Sequence, residues 1–235
     1  MMKNEKMGYL YRFRALLYKD ICDLRWNGQV LFNLITGAIL ISLFALLPHG
    51  EIPISFVFAF VFGMLTLLMQ GNLVVEEKEQ GTIRRLKQAG FSLKEILFSK
   101  MMITFMTTVL ILILFFVLYG NHMLFHLQLF ILVLPIIMIM LVAGTFLGIK
   151  TKNTIEVSLY GSPIMIFYFF LEGLLMNSSR EEMPWLAIFP NYHIHYGIDQ
   201  IYNKEPFLSY LTVPVIWMAV GIVVFITWYK KQHFN

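Results

Sequence analysis

A single cysteine, Cys22, stands among 235 residues, so no disulfide within the chain can staple a fold together. Charge is nearly as scarce. Asp, Glu, Lys and Arg make up 14% of the residues, against roughly 25% in an ordinary soluble domain. There is no internal repeat and no low-complexity tract. These shortages exclude a disulfide scaffold and argue against a disordered regulator, which needs high charge and few apolar groups. What is present instead is hydrocarbon: 58% of residues are hydrophobic and the mean hydropathy is +0.71. One soluble core of this length cannot enclose that much apolar surface. The excess has to face lipid, which argues against a soluble enzyme.

About 20 consecutive apolar residues are needed to cross a bilayer as a helix. Six segments qualify: 30–47, 53–75, 101–119, 129–149, 155–175 and 210–229. Only the fifth contains any Lys, Arg, Asp or Glu, namely Glu156 and Glu172 near its two ends. A charge at the membrane centre costs about 2.5–3.5 kcal/mol on insertion scales, so this near-absence is what spans require. The expectation is an all-α integral membrane protein with a leader, 1–29, and one six-span domain, 30–235. The first span follows a charged leader and precedes a turn at Leu46, Leu47, Pro48, His49 and Gly50, unlike a cleaved signal.

The basic residues sort by loop. Lys3, Lys6, Arg12, Arg14, Lys19 and Arg25 lie in the leader, and Lys78, Arg84, Arg85, Lys87, Lys94 and Lys100 lie between spans two and three. Lys150, Lys152, Lys230 and Lys231 fall on the same side, leaving only Arg180 and Lys204 on the other, with Glu51, Glu181, Glu182, Asp199 and Glu205. Such a bias marks the basic side as cytoplasmic. Both termini are then inside, in a multi-pass protein of the cell membrane. The basic residues flank spans as insertion requires, so no nucleic-acid partner is expected. No segment between spans reaches the ~40 residues below which unaided folding is rare.

Leu10, Phe13, Leu17, Ile21 and Leu24 recur every three or four residues in the leader. That spacing predicts an amphipathic helix in the membrane interface. It serves as a plain anchor or as a contact surface for a partner. In the second loop, Gly81 breaks the chain before a short helix over 82–89 that stops at Gly90. Ser92 and Glu95 then form a capping box for the next helix. The short helix offers Ile83 and Leu86 for packing and Arg84, Arg85 and Lys87 for acidic groups. It can pass a push from a soluble partner to the spans on either side.

Glu77, Lys78, Glu79, Gly81, Thr82, Ile83, Leu86, Ser92, Ile96, Leu97 and Lys100 resemble the coupling-helix region of type-2 ABC exporter permeases. There the pattern runs Glu-Lys-Glu-x-Gly-Thr-Leu-Glu-x-Leu, then a small-residue or Pro turn, then Ile-Leu and Gly-Lys. Arg84 stands where an acid is frequent, Gly90 and Phe91 replace the Pro turn, and Ser99 precedes Lys100. Phe189, Pro190, Asn191 and Tyr192, continuing to Asp199, are similar to that family's outer Pro-Leu-Thr-Tyr stretch. The resemblance implies a permease working as a homodimer, or as a heterodimer with a related permease, with two copies of a separate ATP-binding cassette ATPase docked at Glu77, Glu79, Gly81, Thr82, Ile83, Arg84, Arg85, Leu86 and Lys87. ATP and Mg would bind in that partner and no cofactor in this chain, which would not itself be an enzyme. Spans two and five would part around a route at the dimer interface. The segment 176–209 implies short helices in the outer leaflet, with Trp185, Pro190 and Tyr192 at an outer gate; interfacial anchoring is the other reading. Glu172 would line an outer vestibule.

Gly144 and Gly148, with Lys150 and Thr151, mimic a nucleotide-binding loop, but Ile149 intervenes where Gly must precede Lys. The pair is better read as a close helix contact. His122 with His126, and His193 with His195, lack a supporting Cys or carboxylate set at ligand spacing, so no metal is expected. Pro135, Pro163 and Pro214 are expected to bend their helices. Abundant Phe (22) and Met (15) favour an amphipathic or hydrophobic cargo such as a peptide. An ion-coupled carrier and a non-transporting anchor or sensor remain as alternatives. The first would work with no ATPase, the second without ATP-linked flux.

Overall fold

Backbone groups in hydrocarbon must satisfy one another, and a helix does this within one segment. The computed structural model describes residues 2–47, 52–120, 122–177 and 179–233, and all regular structure among them is helical. Pro48, His49, Gly50 and Glu51 lie outside the described residues, as do the side chains of Lys3, Lys6 and Leu10.

Helix α1 is Met2–Leu24 and α2 is Gly28–Leu46. The second span is continuous from Ile54 to Glu79. It contains α3 (Ile54–Phe60), a π-helical segment (Val61–Leu68) and α4 (Met69–Glu79). Next come α5 (Thr82–Gln88), α6 (Leu93–Tyr119), α7 (Met123–Lys150) and α8 (Thr154–Asn177). A 3-10 turn (Pro184–Ile188), α9 (Pro190–Tyr202), a second 3-10 turn (Leu208–Leu211) and α10 (Thr212–His233) complete the chain. Six helices are long and apolar enough to cross a membrane. Several run past the apolar windows of the sequence. The third begins at Leu93 instead of 101, because the Ser92–Glu95 capping box, not the hydrocarbon border, sets its start. Pro135 and Pro163 lie inside α7 and α8. Pro214 lies two residues past the point where the second 3-10 turn runs into α10.

The second span and α7 form the centre. In the second span 78% of the apolar window is buried, against 28% in α2 and in α8 and 6% in the last span. Of the two spans expected to border a route, span two is largely enclosed within the chain, whereas α8, like α2 and the last span, presents a broad free face. The core is aromatic toward one end, with Phe58 5.3 Å from Phe115 and Phe115 stacked 5.1 Å from Tyr119. In mid-bundle a short polar row ties three helices. Thr104 donates to Gln70 at 2.6 Å, Gln70 donates to Thr145 at 2.9 Å, and Thr66 meets Thr108 at 3.0 Å. Each buried polar group in that row finds a partner, as apolar surroundings demand.

Small residues let the central helices touch. A Cβ on Gly144 would fall 2.5 Å from the Leu67 carbonyl oxygen, and one on Gly148 would fall 2.6 Å from that of Gly71. Helix α1 packs on α6. Its buried face centres on Leu16 and Asp20, while Ile21 is exposed. The apolar stripe read from the sequence is thus rotated, because Asp20 has charged partners beneath it.

Candidate functional site

One end of the bundle gathers α1, α5 and the neighbouring ends of α4, α6 and α7; most of the Lys and Arg lie there. Only Gln80 and Gly81 separate α4 from α5. Gly81 sits at φ 66°, the left-handed region that favours glycine. The Thr82 hydroxyl donates back to the Glu77 carbonyl at 3.0 Å and also to the Glu77 carboxylate. At the far end of α5, the Phe91 N–H donates to the Leu86 carbonyl at 3.0 Å, and the Ser92 capping box launches α6. A two-turn helix is therefore clamped between two spans with almost no slack.

Charge ties that clamp to three other helices. The Glu77 carboxylate takes Lys19 of α1 at 2.6 Å and Lys100 of α6 at 2.7 Å. Lys100 also reaches Asp20 at 2.8 Å, and Asp20 accepts from the Ser99 hydroxyl. Burial alone would lower the Lys19 pKa, but its bonds to Glu77 and Asp23 and the charge of Asp20 outweigh that and raise it. Lys78 points the other way. Its ammonium donates to the carbonyls of Ile149 at 2.7 Å and Gly148 at 3.4 Å, and to that of Thr151. These are the orphan acceptors at the C-terminus of α7, where a cation is favoured. Arg12 of α1 pairs with Glu95 at 3.3 Å, donates to the Gly90 carbonyl and lies over the Phe91 ring at 5.4 Å. Asp20, Asp23 and Glu77 place ligand oxygens within 4.8 Å of one another. With Lys19 and Lys100 already bonded to those oxygens, the cluster is an ion-pair network.

The expected partner-contact residues divide accordingly. Arg84, Arg85, Lys87, Glu79 and Gly81 are exposed, and Thr82, Ile83 and Leu86 are half-buried. Glu77 differs from the rest: it is 5% exposed and bonded to internal partners, although it borders the groove beside α5. An open groove of about 600 Å³ runs beside α5, lined by Ile83, Arg84, Lys87 and Gln88 among others. Sequence reading missed Lys19 and Asp20 as members of this site and gave Lys100 no part in pairing with Glu77. The signal was a charge on an apolar helix face, Asp20 one turn from Leu16, and a lysine directly before a span.

At the opposite end, α9 and its flanking 3-10 turns cover the bundle. Pro190 is buried at the first position of α9, where proline suits a helix start. Tyr192 is buried and its hydroxyl accepts from Arg180 at 3.1 Å. Arg180 also donates to the Tyr210 hydroxyl and lies over the Tyr196 ring at 5.1 Å. Trp185 is half-exposed and packs edge-on against Phe189 at 6.2 Å. Glu172 is a correction. It is fully buried between α8 and α9, where Asn191 donates to it at 3.1 Å and His195 stands 3.7 Å away, so it lines no vestibule. His195 meets the Ser55 hydroxyl at 2.9 Å, and His193 meets the Ala187 carbonyl at 2.8 Å. Burial lowers the His193 pKa; the Ala187 bond opposes this and the Arg180 charge adds to it. The two histidines thus have separate partners. The α5 set and the α9 set lie at opposite ends and form two sites.

Residues 46–228 match the family described as ABC-2 family transporter protein. Among curated proteins, none matches the chain.

Proposed function

The chain belongs to the ABC-2 family of transporter proteins, and from that premise we propose that it is the permease subunit of an ABC exporter. The basic end faces the cytoplasm, where two copies of an ATP-binding cassette ATPase dock and supply ATP and Mg chemistry. The observation that carries this reading is the mounting of α5. Its exposed Arg84, Arg85 and Lys87 face outward, while Glu77 and Lys78 beside it are bonded to α1, α6 and α7. Force applied to α5 reaches four helices without crossing a flexible linker.

Two protomers, identical or related, meet so that the free face of α8 borders the route, and α9 closes its outer side near Trp185 and Tyr192. The buried second span then transmits motion without lining the route. The cargo is amphipathic or hydrophobic, with a peptide the favoured class, because the mid-bundle polar groups are few and Gln70, Thr104 and Thr145 bond to one another. Affinity purification from the native membrane tests the docking. Wild type is expected to co-elute an ATPase activity. The double variant Ile83→Asp, Leu86→Asp is expected to lose it, since a carboxylate buried without a partner is strongly disfavoured. An unchanged complex with unchanged ATP turnover in that variant would remove α5 as the docking element. Unchanged peptide efflux in cells lacking the subunit would remove the peptide.

A further inference from the structure

Helices α6 and α10 each pack on α7, and between them a cleft of about 480 Å³ opens at the basic end. That volume lies within the ~300–1,000 Å³ of pockets that hold ligand-sized molecules. Its walls are mostly apolar: Leu97, Phe98 and Met101 from α6, and Phe225, Ile226 and the Tyr229 ring from α10. Thr145 of α7 is also in the lining, but its hydroxyl is buried and bonded to Leu141 and Gln70. Two cations, Lys94 and Lys230, belong to the same lining. They stand at the start of α6 and near the end of α10, at the level where lipid headgroups meet a bundle of this length. Helix α10 is seated on α7 by Trp228, 4.8 Å from Phe146, which leaves its α6 side free to form the cleft.

We propose that this cleft binds one anionic phospholipid, with the phosphate between Lys94 and Lys230 and an acyl chain along Phe98, Met101 and Ile226. Charge complementarity selects the occupant. A zwitterionic lipid gains nothing net from two ammonium groups, whereas basic pockets between membrane helices hold anionic headgroups. The one acid in the first turn of α6, Glu95, does not oppose this. It is engaged by the Ser92 N–H at 2.6 Å and by Arg12 at 3.3 Å. A bound lipid would tie α10 to α6 directly, where each otherwise packs on α7.

Native mass spectrometry of the full chain tests this without the ATPase, so its outcome is independent of the transport reading. The protein is reconstituted from phosphatidylcholine vesicles with or without phosphatidylglycerol. Wild type is expected to retain one phosphatidylglycerol in preference to phosphatidylcholine. At about 1 kcal/mol per lysine near the surface, Lys94→Gln with Lys230→Gln should weaken retention roughly thirtyfold. Met101→Trp, which fills the cleft, should also lower it. Lys152→Gln, at the same end but outside the cleft, should leave it unchanged. Equal retention of both lipids would overturn the proposal. So would an equal loss in the Lys152 variant, full displacement by inorganic phosphate, or a dimer whose second copy covers the cleft and excludes lipid.

Discussion

Glu77 is the residue on which the basic end turns. It accepts from Lys19 and Lys100 and from its neighbour Thr82. Removing one partner of a buried pair leaves the other charge stranded, at a cost of about 3–5 kcal/mol. Lys19 is partly exposed and would keep Asp23, whereas Lys100 is buried and would keep only Asp20, itself shared with Lys19. Glu77→Ala is therefore expected to destabilise the solubilised protein by roughly 3 kcal/mol, at the low end of that range. Adding Lys100→Met should recover part of the loss, because two ammonium groups then no longer share Asp20. A double-mutant cycle from thermal unfolding measures this, with coupling of about 0.5–3 kcal/mol expected for groups in contact. Purely additive losses would show that Glu77 and Lys100 do not act as a pair. The position of Glu77 was not legible in the sequence. The run Glu76, Glu77, Lys78, Glu79 reads as a solvated helix end. Only the fold brings Lys19, 58 residues away in sequence, beneath it.

At the scale of elements, the seam between α7 and the second span sets how closely the centre packs. Gly144 and Gly148 could be read as a small-residue pair, yet their partner strip, the π-helical segment and α4, could not. A π-helical stretch has no sequence pattern distinct from an apolar α-helix. At Gly144 and Gly148 an added Cβ meets backbone oxygen, which cannot rotate away. At Gly161 it meets Leu68 Cδ2 at 2.4 Å, the far end of a flexible side chain. Overpacking that moves backbone costs about 1–3 kcal/mol. Gly144→Ala and Gly148→Ala are therefore expected to lower the thermal midpoint of the detergent-solubilised protein clearly more than Gly161→Ala does. Equal shifts at the three positions would mean that α7 can slide to accommodate the methyl groups. Much of α5 was legible at this scale, because glycine stops and a capping box are local devices. The rotation of α1 was not, because its buried face is chosen by Asp20, a polar residue that apolar spacing ignores.

For the whole molecule, the number and order of spans were plain in the sequence, but their layering was hidden for a physical reason. Lipid tails are as apolar as leucine, so a helix facing lipid and a helix facing the core have the same composition. The second span and the last have mean hydropathies of 2.0 and 2.2, yet 78% of one window and 6% of the other are buried. Hydropathy thus finds a crossing without saying what surrounds it. Orientation depends on a different signal, the charge sorting of the loops, and it can be tested because the chain carries a single cysteine. In a Cys22→Ser background, Arg84→Cys and Glu181→Cys each place one thiol at an exposed site, at the basic end and the α9 end respectively. An odd number of crossings separates them, so a membrane-impermeant maleimide must see them from opposite sides. Glu181→Cys is expected to label in intact cells, and Arg84→Cys only after the membrane is opened. The reverse order would place α5 outside, where no ATP-hydrolysing partner works, and the exporter reading would fall. Labelling of both in intact cells would break the six-crossing topology itself.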